Sequence, residues 1–121
     1  MDMTQQERQD YNKLTREQKE DFEYQHKRHP DWSFKQVMAK LVFEEKVDDT
    51  VGKGGQNVDT KDPAIWLTIL EGVKSTLTKF QSIGQSIIFA IDSAIKSLKG
   101  MIMIGIQKAG DVISNLFDKL F

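Results

Sequence analysis

The chain reads ILEGVKSTLTK at residues 69–79, then FQSIGQSIIFA (80–90), IDSAIKSLKGM (91–101), IMIGIQKAGDV (102–112) and ISNLFDKL (113–120). Aligned in this way, the first column is apolar in every copy: Ile69, Phe80, Ile91, Ile102 and Ile113. The sixth column is polar in every copy: Lys74, Gln85, Lys96, Gln107 and Asp118. Because eleven residues make about three turns at ~3.67 residues per turn, side chains with this spacing form an apolar stripe nearly parallel to the axis of an α-helix.

The repeat predicts that residues 63–121 form one long amphipathic helix, roughly 87 Å in length at ~1.5 Å rise per residue. The alternative is a helical hairpin broken at Gly100, because a lysine followed by a glycine is typical of a helix end. In either case the stripe has to be buried, and we predict that it is an interface. Its residues are Ile69, Val73, Phe80, Ile87, Ile91, Ile95, Leu98, Ile102, Ile106, Ile113, Phe117 and Leu120.

The start of this helical region is marked by Asp62 and Pro63. Aspartate can cap a helix, and proline is favoured at the first helical position because its missing N–H costs nothing there. The preceding residues 48–62 contain three glycines and few apolar side chains, which predicts a glycine-rich linker. We therefore expect three segments: an N-terminal helical pair (1–47), the linker (48–62) and the amphipathic region (63–121).

The N-terminal pair is predicted from two capping boxes, Thr15 with Gln18 and Ser33 with Gln36. In a capping box the first side chain and the side chain three residues later each satisfy a free backbone amide. The first helix should end near Arg28, because the residue before Pro30 is disfavoured in helical geometry. The second should end near Val47. We predict that Trp32, Phe34 and Val37 either staple the turn between the two helices or dock a partner.

Composition narrows the function classes. Residues 1–62 carry a net charge of −3 and residues 63–121 a net charge of +2, and these sum to the −1 of the 121-residue chain. Neither segment is basic enough for binding dominated by phosphate contacts, so we do not expect nucleic acid as a partner. The polar N-terminus does not resemble a signal peptide, and no apolar run reaches the ~18 residues of a spanning helix. We expect a cytoplasmic or intracellular location, or a place within a large particle.

The sequence contains no recognisable catalytic or cofactor site. His26 and His29 are the only histidines and there is no cysteine, so a metal site with three converging ligands is not expected. Gly52, Lys53, Gly54 and Gly55 do not have the spacing of a phosphate-binding loop. No arrangement of nucleophile, base and orienting acid can be proposed. We therefore expect no enzyme activity, no metal and no cofactor.

Three functions remain open. The first is a structural or adaptor subunit whose amphipathic region packs in a multi-chain helical assembly, with other proteins or copies of itself as partners. The second is a peripheral membrane-binding or membrane-permeabilising protein, because a sparse set of lysines on the polar face suits lipid binding. The repeat resembles, in its period, those of synuclein- and lipid-droplet-type helices. The third is a regulatory module, similar to an inhibitor or antitoxin, that folds on its target.

Overall fold

The computed structural model describes residues 1–52 and 61–121. Within these ranges the chain contains α-helices, one 3-10 turn (Gln81–Ile83) and no β-strand. The helices are α1 (Gln5–Asn12), α2 (Arg16–Arg28), α3 (Phe34–Val51), α4 (Pro63–Leu77), α5 (Gln85–Ile104) and α6 (Ala109–Leu120). The prediction of an all-α protein is confirmed.

The helix starts follow the capping residues. The Thr15 hydroxyl accepts from the Gln18 amide at 3.1 Å, and the Ser33 hydroxyl accepts from the Gln36 amide at 3.3 Å; both boxes are reciprocal. Asp62 accepts from the amide of Ala64 at 2.9 Å, and Pro63 begins α4. A third box, formed by Thr4 and Glu7, starts α1, a helix that the sequence analysis does not predict.

Helix α3 lies at the centre of the fold. Its buried residues are Phe34, Val37, Met38, Ala39, Leu41, Val42 and Phe43, which point in several directions around its axis. A helix that is apolar on most of its circumference is surrounded by other elements, and α3 packs against both α2 and α4. It continues to Val51, so the predicted end at Val47 and the boundary at residue 48 fall inside it. Residues 53–60 of the predicted linker lie outside the described residues.

The C-terminal half is not one long helix, and the predicted break at Gly100 is also wrong. Gly84, with φ of 77°, stands at the start of α5, and Gly105, with φ of 76°, ends it in the left-handed conformation. Glycine adopts these angles without the steric cost that a Cβ would add. Gly100 lies within α5. Short connections join α4, α5 and α6, and α5 packs against both α4 and α6.

One hydrophobic core contains side chains from both predicted segments, from Leu14 to Leu120. Helix α4 links the two halves of this core, because it packs against both α3 and α5. Folding back allows the apolar stripe to be buried by the chain itself. Among the described helices, none is both long enough and apolar enough to cross a lipid bilayer.

Candidate functional site

The predicted stripe is mostly internal. Nine of its twelve residues are buried in the core of the chain: Ile69, Val73, Phe80, Ile87, Ile91, Ile95, Leu98, Ile113 and Leu120. Phe117 is half-buried, whereas Ile102 and Ile106 are exposed. The surfaces that cover these nine side chains are helices of the same chain. In this conformation those nine side chains are not available to a partner.

Exposed apolar side chains are concentrated at the C-terminal end of α5. Met103 is 86% exposed and Ile104 is 70% exposed, and Ile102 and Ile106 beside them are 44% and 39% exposed. We call these four residues the apolar tip. Large side chains of this kind are usually buried, and a contiguous exposed group of them is typical of a binding surface.

The backbone of the tip is ordered by a Schellman motif. The amide of Gly105 donates to the carbonyl of Ile102 at 3.4 Å, and the amide of Ile106 donates to the carbonyl of Met101 at 3.0 Å. These are the two hydrogen bonds that close a helix through a left-handed glycine. The turn therefore presents its apolar side chains from a fixed backbone.

Lysines flank the apolar tip on both sides. Lys99 precedes Met103 by one helical turn, and Lys108 follows Ile106 by two residues; both are exposed. Within residues 1–52 and 61–121, no carboxylate forms an ion pair with either lysine. Asp111, in the first turn of α6, is the nearest acidic residue along the chain and is also exposed.

Two other lysines, one on α4 and one on α5, contact Asp92 of α5. Lys74 of α4 donates to Asp92 at 2.8 Å, and Lys96 lies 3.4 Å from the other carboxylate oxygen. The hydrogen bond from Lys74 is the largest influence on Asp92 and, with the charges of both lysines, holds its pKa below the usual value. These contacts of Asp92 link α4 to α5, and the ammonium group of Lys74 is part of that link.

The predicted staple residues lie at the junction of α2, α3 and α6. Phe34 and Val37 are buried, and Trp32 is half-buried. The Trp32 ring stacks on His29 at 3.6 Å between centroids and on Phe121 at 4.9 Å. Gln36 adds a hydrogen bond from its Nε2 to the carbonyl of Leu120 at 3.0 Å. The turn between α2 and α3 therefore holds the end of α6, a role that the sequence analysis does not anticipate.

A buried carboxylate connects α1 to the 3-10 turn. Asp10 is fully buried and accepts hydrogen bonds from both the amide (2.8 Å) and the hydroxyl of Ser82. Burial acts to raise the pKa of Asp10, but the bonds from Ser82 and Gln6 and the charge of Lys13 outweigh it and lower the pKa. The sequence gives no signal for this contact, because the two residues lie 72 positions apart.

Acidic side chains gather between α2 and α3, and they include Glu17, Asp21, Glu45 and Asp48. Burial, followed by the negative charges of these neighbours, raises the pKa of Asp21. In the described residues no three histidine, aspartate or glutamate side chains are arranged to hold a metal ion. His29, one of the two histidines, stacks on Trp32.

Compared with protein-family models, with curated proteins and with solved structures, the chain shows no match.

Proposed function

We propose that this chain is an attachment or adaptor protein that acts by binding, and that the apolar tip is the surface through which it engages its partner. The observation that carries the proposal is the exposure of Met103 and Ile104 on a backbone fixed by the Gly105 turn. Exposing such side chains has a free-energy cost of about 1.5–3 kcal/mol each relative to full burial, which a partner would recover.

The burial of the stripe within the chain favours an adaptor that binds through the tip over a subunit of a multi-chain helical assembly. An assembly built on the whole stripe would need Ile69, Ile91 and Ile113 at the surface, and all three are buried. The same burial weighs against a regulatory module that folds only on its target, because the stripe is covered by the chain's own helices. Within the repeat, the four residues of the apolar tip form the largest group of exposed apolar side chains, and Phe89 is exposed apart from them.

The test compares the double variant Met103→Glu/Ile104→Glu with Phe89→Glu as a matched control. Phe89 is 63% exposed on the same helix, fifteen residues or roughly 22 Å from Ile104 at ~1.5 Å per residue. Three apolar acceptors are offered to the full chain: a second copy, followed by sedimentation velocity, a neutral detergent micelle and a lipid vesicle.

We expect the parent protein to bind at least one of these acceptors. The double variant should bind it more than about tenfold more weakly, because two apolar side chains lose their burial, and Phe89→Glu should bind as the parent does. Circular dichroism and thermal melting check that all three proteins are equally folded. Binding that is unaffected by the double variant, or no binding to any acceptor, would rule out the apolar tip as the attachment surface.

A further inference from the structure

We infer that the partner of the apolar tip is a lipid bilayer surface that carries anionic headgroups. The inference rests on the proposed function and names its partner. Four features support it: the small size of the tip, its position on a turn, the two capped carbonyls beneath it and the lysines beside it.

The size of the tip does not suit a stable protein interface. Such interfaces use about 20–30 residues on each side, whereas the tip consists of four side chains around Gly105. A second copy or another protein would therefore need much more surface than these residues supply. A peripheral membrane element needs far less, because it inserts only roughly 5–10 Å into the boundary between headgroups and acyl chains.

The turn also presents its side chains in the form that insertion requires. Met103 and Ile104 are the most exposed of the large apolar side chains in the described residues. The carbonyls of Met101 and Ile102, which a helix end would leave free, accept the amides of Ile106 and Gly105. Unsatisfied backbone groups are costly in an apolar medium, so this cap lowers the cost of bringing the tip into the bilayer.

Two of the three exposed charges beside the tip are cationic, Lys99 and Lys108 against Asp111, so the net charge there suits an anionic surface. Lys99 lies one turn behind Met103, so both side chains point to the same face of α5. Lys108 lies on the other side of the turn. A long lysine side chain can keep its ammonium group at the headgroups while apolar neighbours insert. Each lysine near an anionic surface strengthens binding by about fivefold, from ~1 kcal/mol per charge.

The first test measures flotation of the full chain with vesicles of phosphatidylcholine alone and of phosphatidylcholine mixed with phosphatidylglycerol. We expect binding to the mixed vesicles that weakens as salt is added, because salt screens exposed charges. Lys99→Gln/Lys108→Gln should reduce that binding by about 25-fold, the product of two fivefold effects. The Met103→Glu/Ile104→Glu variant should abolish it, and Phe89→Glu should leave it unchanged.

The second test locates the inserted residue. Since the chain has no cysteine, Ile104→Cys and Phe89→Cys can each be labelled with an environment-sensitive fluorophore. Mixed vesicles should shift the emission of the label at 104 to shorter wavelength and leave the label at 89 unchanged. Shifts at both positions would mean that α5 binds along its length, which overturns insertion by the tip.

The two proposals fail differently. Tip-dependent binding to a second copy or a micelle, without binding to mixed vesicles, overturns the lipid inference and leaves the attachment function standing. Equal binding to both kinds of vesicle overturns the role of the anionic headgroups. Binding that is insensitive to the tip variants in every assay overturns both proposals.

Discussion

Trp32 stacks on Phe121 with ring centroids 4.9 Å apart and ring planes 22° from parallel. The contact joins the turn between α2 and α3 to the end of α6, where the ammonium group of Lys40 also lies 5.8 Å from the Phe121 ring centroid. Aromatic pairs of this kind add about 0.5–1.5 kcal/mol beyond their buried area. The sequence pattern places Trp32 at a helix start, and the structure makes it the support of a helix more than 75 residues away.

The first prediction follows from this contact. Trp32→Ala should lower the free energy of unfolding by about 1–3 kcal/mol, since a half-buried aromatic side chain loses both its packing and its stacking. Tyr24→Ala, which removes a side chain that is 55% exposed on α2, serves as the control. Urea denaturation followed by circular dichroism measures both. Equal midpoints for the two variants would show that Trp32 does not hold α6.

The second prediction concerns Asp10 and pH. Its pKa is lowered in the folded protein, so the stabilisation it provides is complete above the unfolded value of about 3.9 and is lost as the pH falls through the folded pKa. Asp10→Asn should therefore destabilise the protein at neutral pH, by about 1–3 kcal/mol for a weakened buried hydrogen-bond network. The difference from the parent should shrink in denaturation curves recorded below pH ~4. A difference that is constant across pH would contradict the assignment.

The third prediction distinguishes two glycines of α5 and its C-terminal end, Gly100 and Gly105. Gly105→Ala should destabilise the protein by about 1–2 kcal/mol, because alanine is strained at positive φ. Gly100→Ala should stabilise it by roughly 0.5–1 kcal/mol, because Gly100 is within the helix and an added Cβ would meet nothing within 4 Å. Thermal melting of the two variants shows whether each substitution raises or lowers the stability of the fold. If Gly100→Ala destabilised the protein and Gly105→Ala stabilised it, the helix would end at Gly100.

The fourth prediction uses two residues from the same column of the repeat. Ile91 is fully buried and Ile102 is 44% exposed. Ile91→Lys should cost about 4 kcal/mol or more through burial of an unpaired charge, whereas Ile102→Lys should cost less than about 1 kcal/mol. Ser97→Lys is the control for adding a lysine on the polar face. If both isoleucine variants unfolded at the same denaturant concentration, the folded-back arrangement would be wrong.

Local signals in the sequence predict the helix starts well. Thr15, Ser33 and Asp62 each begin a helix as expected, because capping depends on residues within one turn of each other. Thr4 and Glu7 carry the same signature and begin α1. Contacts such as Asp10 with Ser82 could not be predicted, because they depend on how separate helices meet.

The eleven-residue repeat predicts which faces are buried but not what buries them. The register of the repeat in the sequence is unbroken at Gly84 and Gly105. Helices α4, α5 and α6 each contribute apolar side chains to the same core. Periodicity alone does not distinguish one helix against a partner from three helices against one another. One residue of the tip is nevertheless recognisable in the sequence. Ile104 is apolar, whereas the other positions of its column in the repeat are polar: Glu71, Ser82, Ser93 and Asn115.

The hydrogen bonds between Asp10 and Ser82 also bear on the order in which the fold forms. Helix α1 has eight residues, too few to be stable alone in water, so it depends on contacts with other elements: Asp10 with Ser82 of the 3-10 turn, and Tyr11 with Phe22 of α2. Helix α1 should therefore be among the last elements to join the fold and among the first to leave it. In hydrogen–deuterium exchange, its amides should exchange through a local opening while those of α3 await global unfolding.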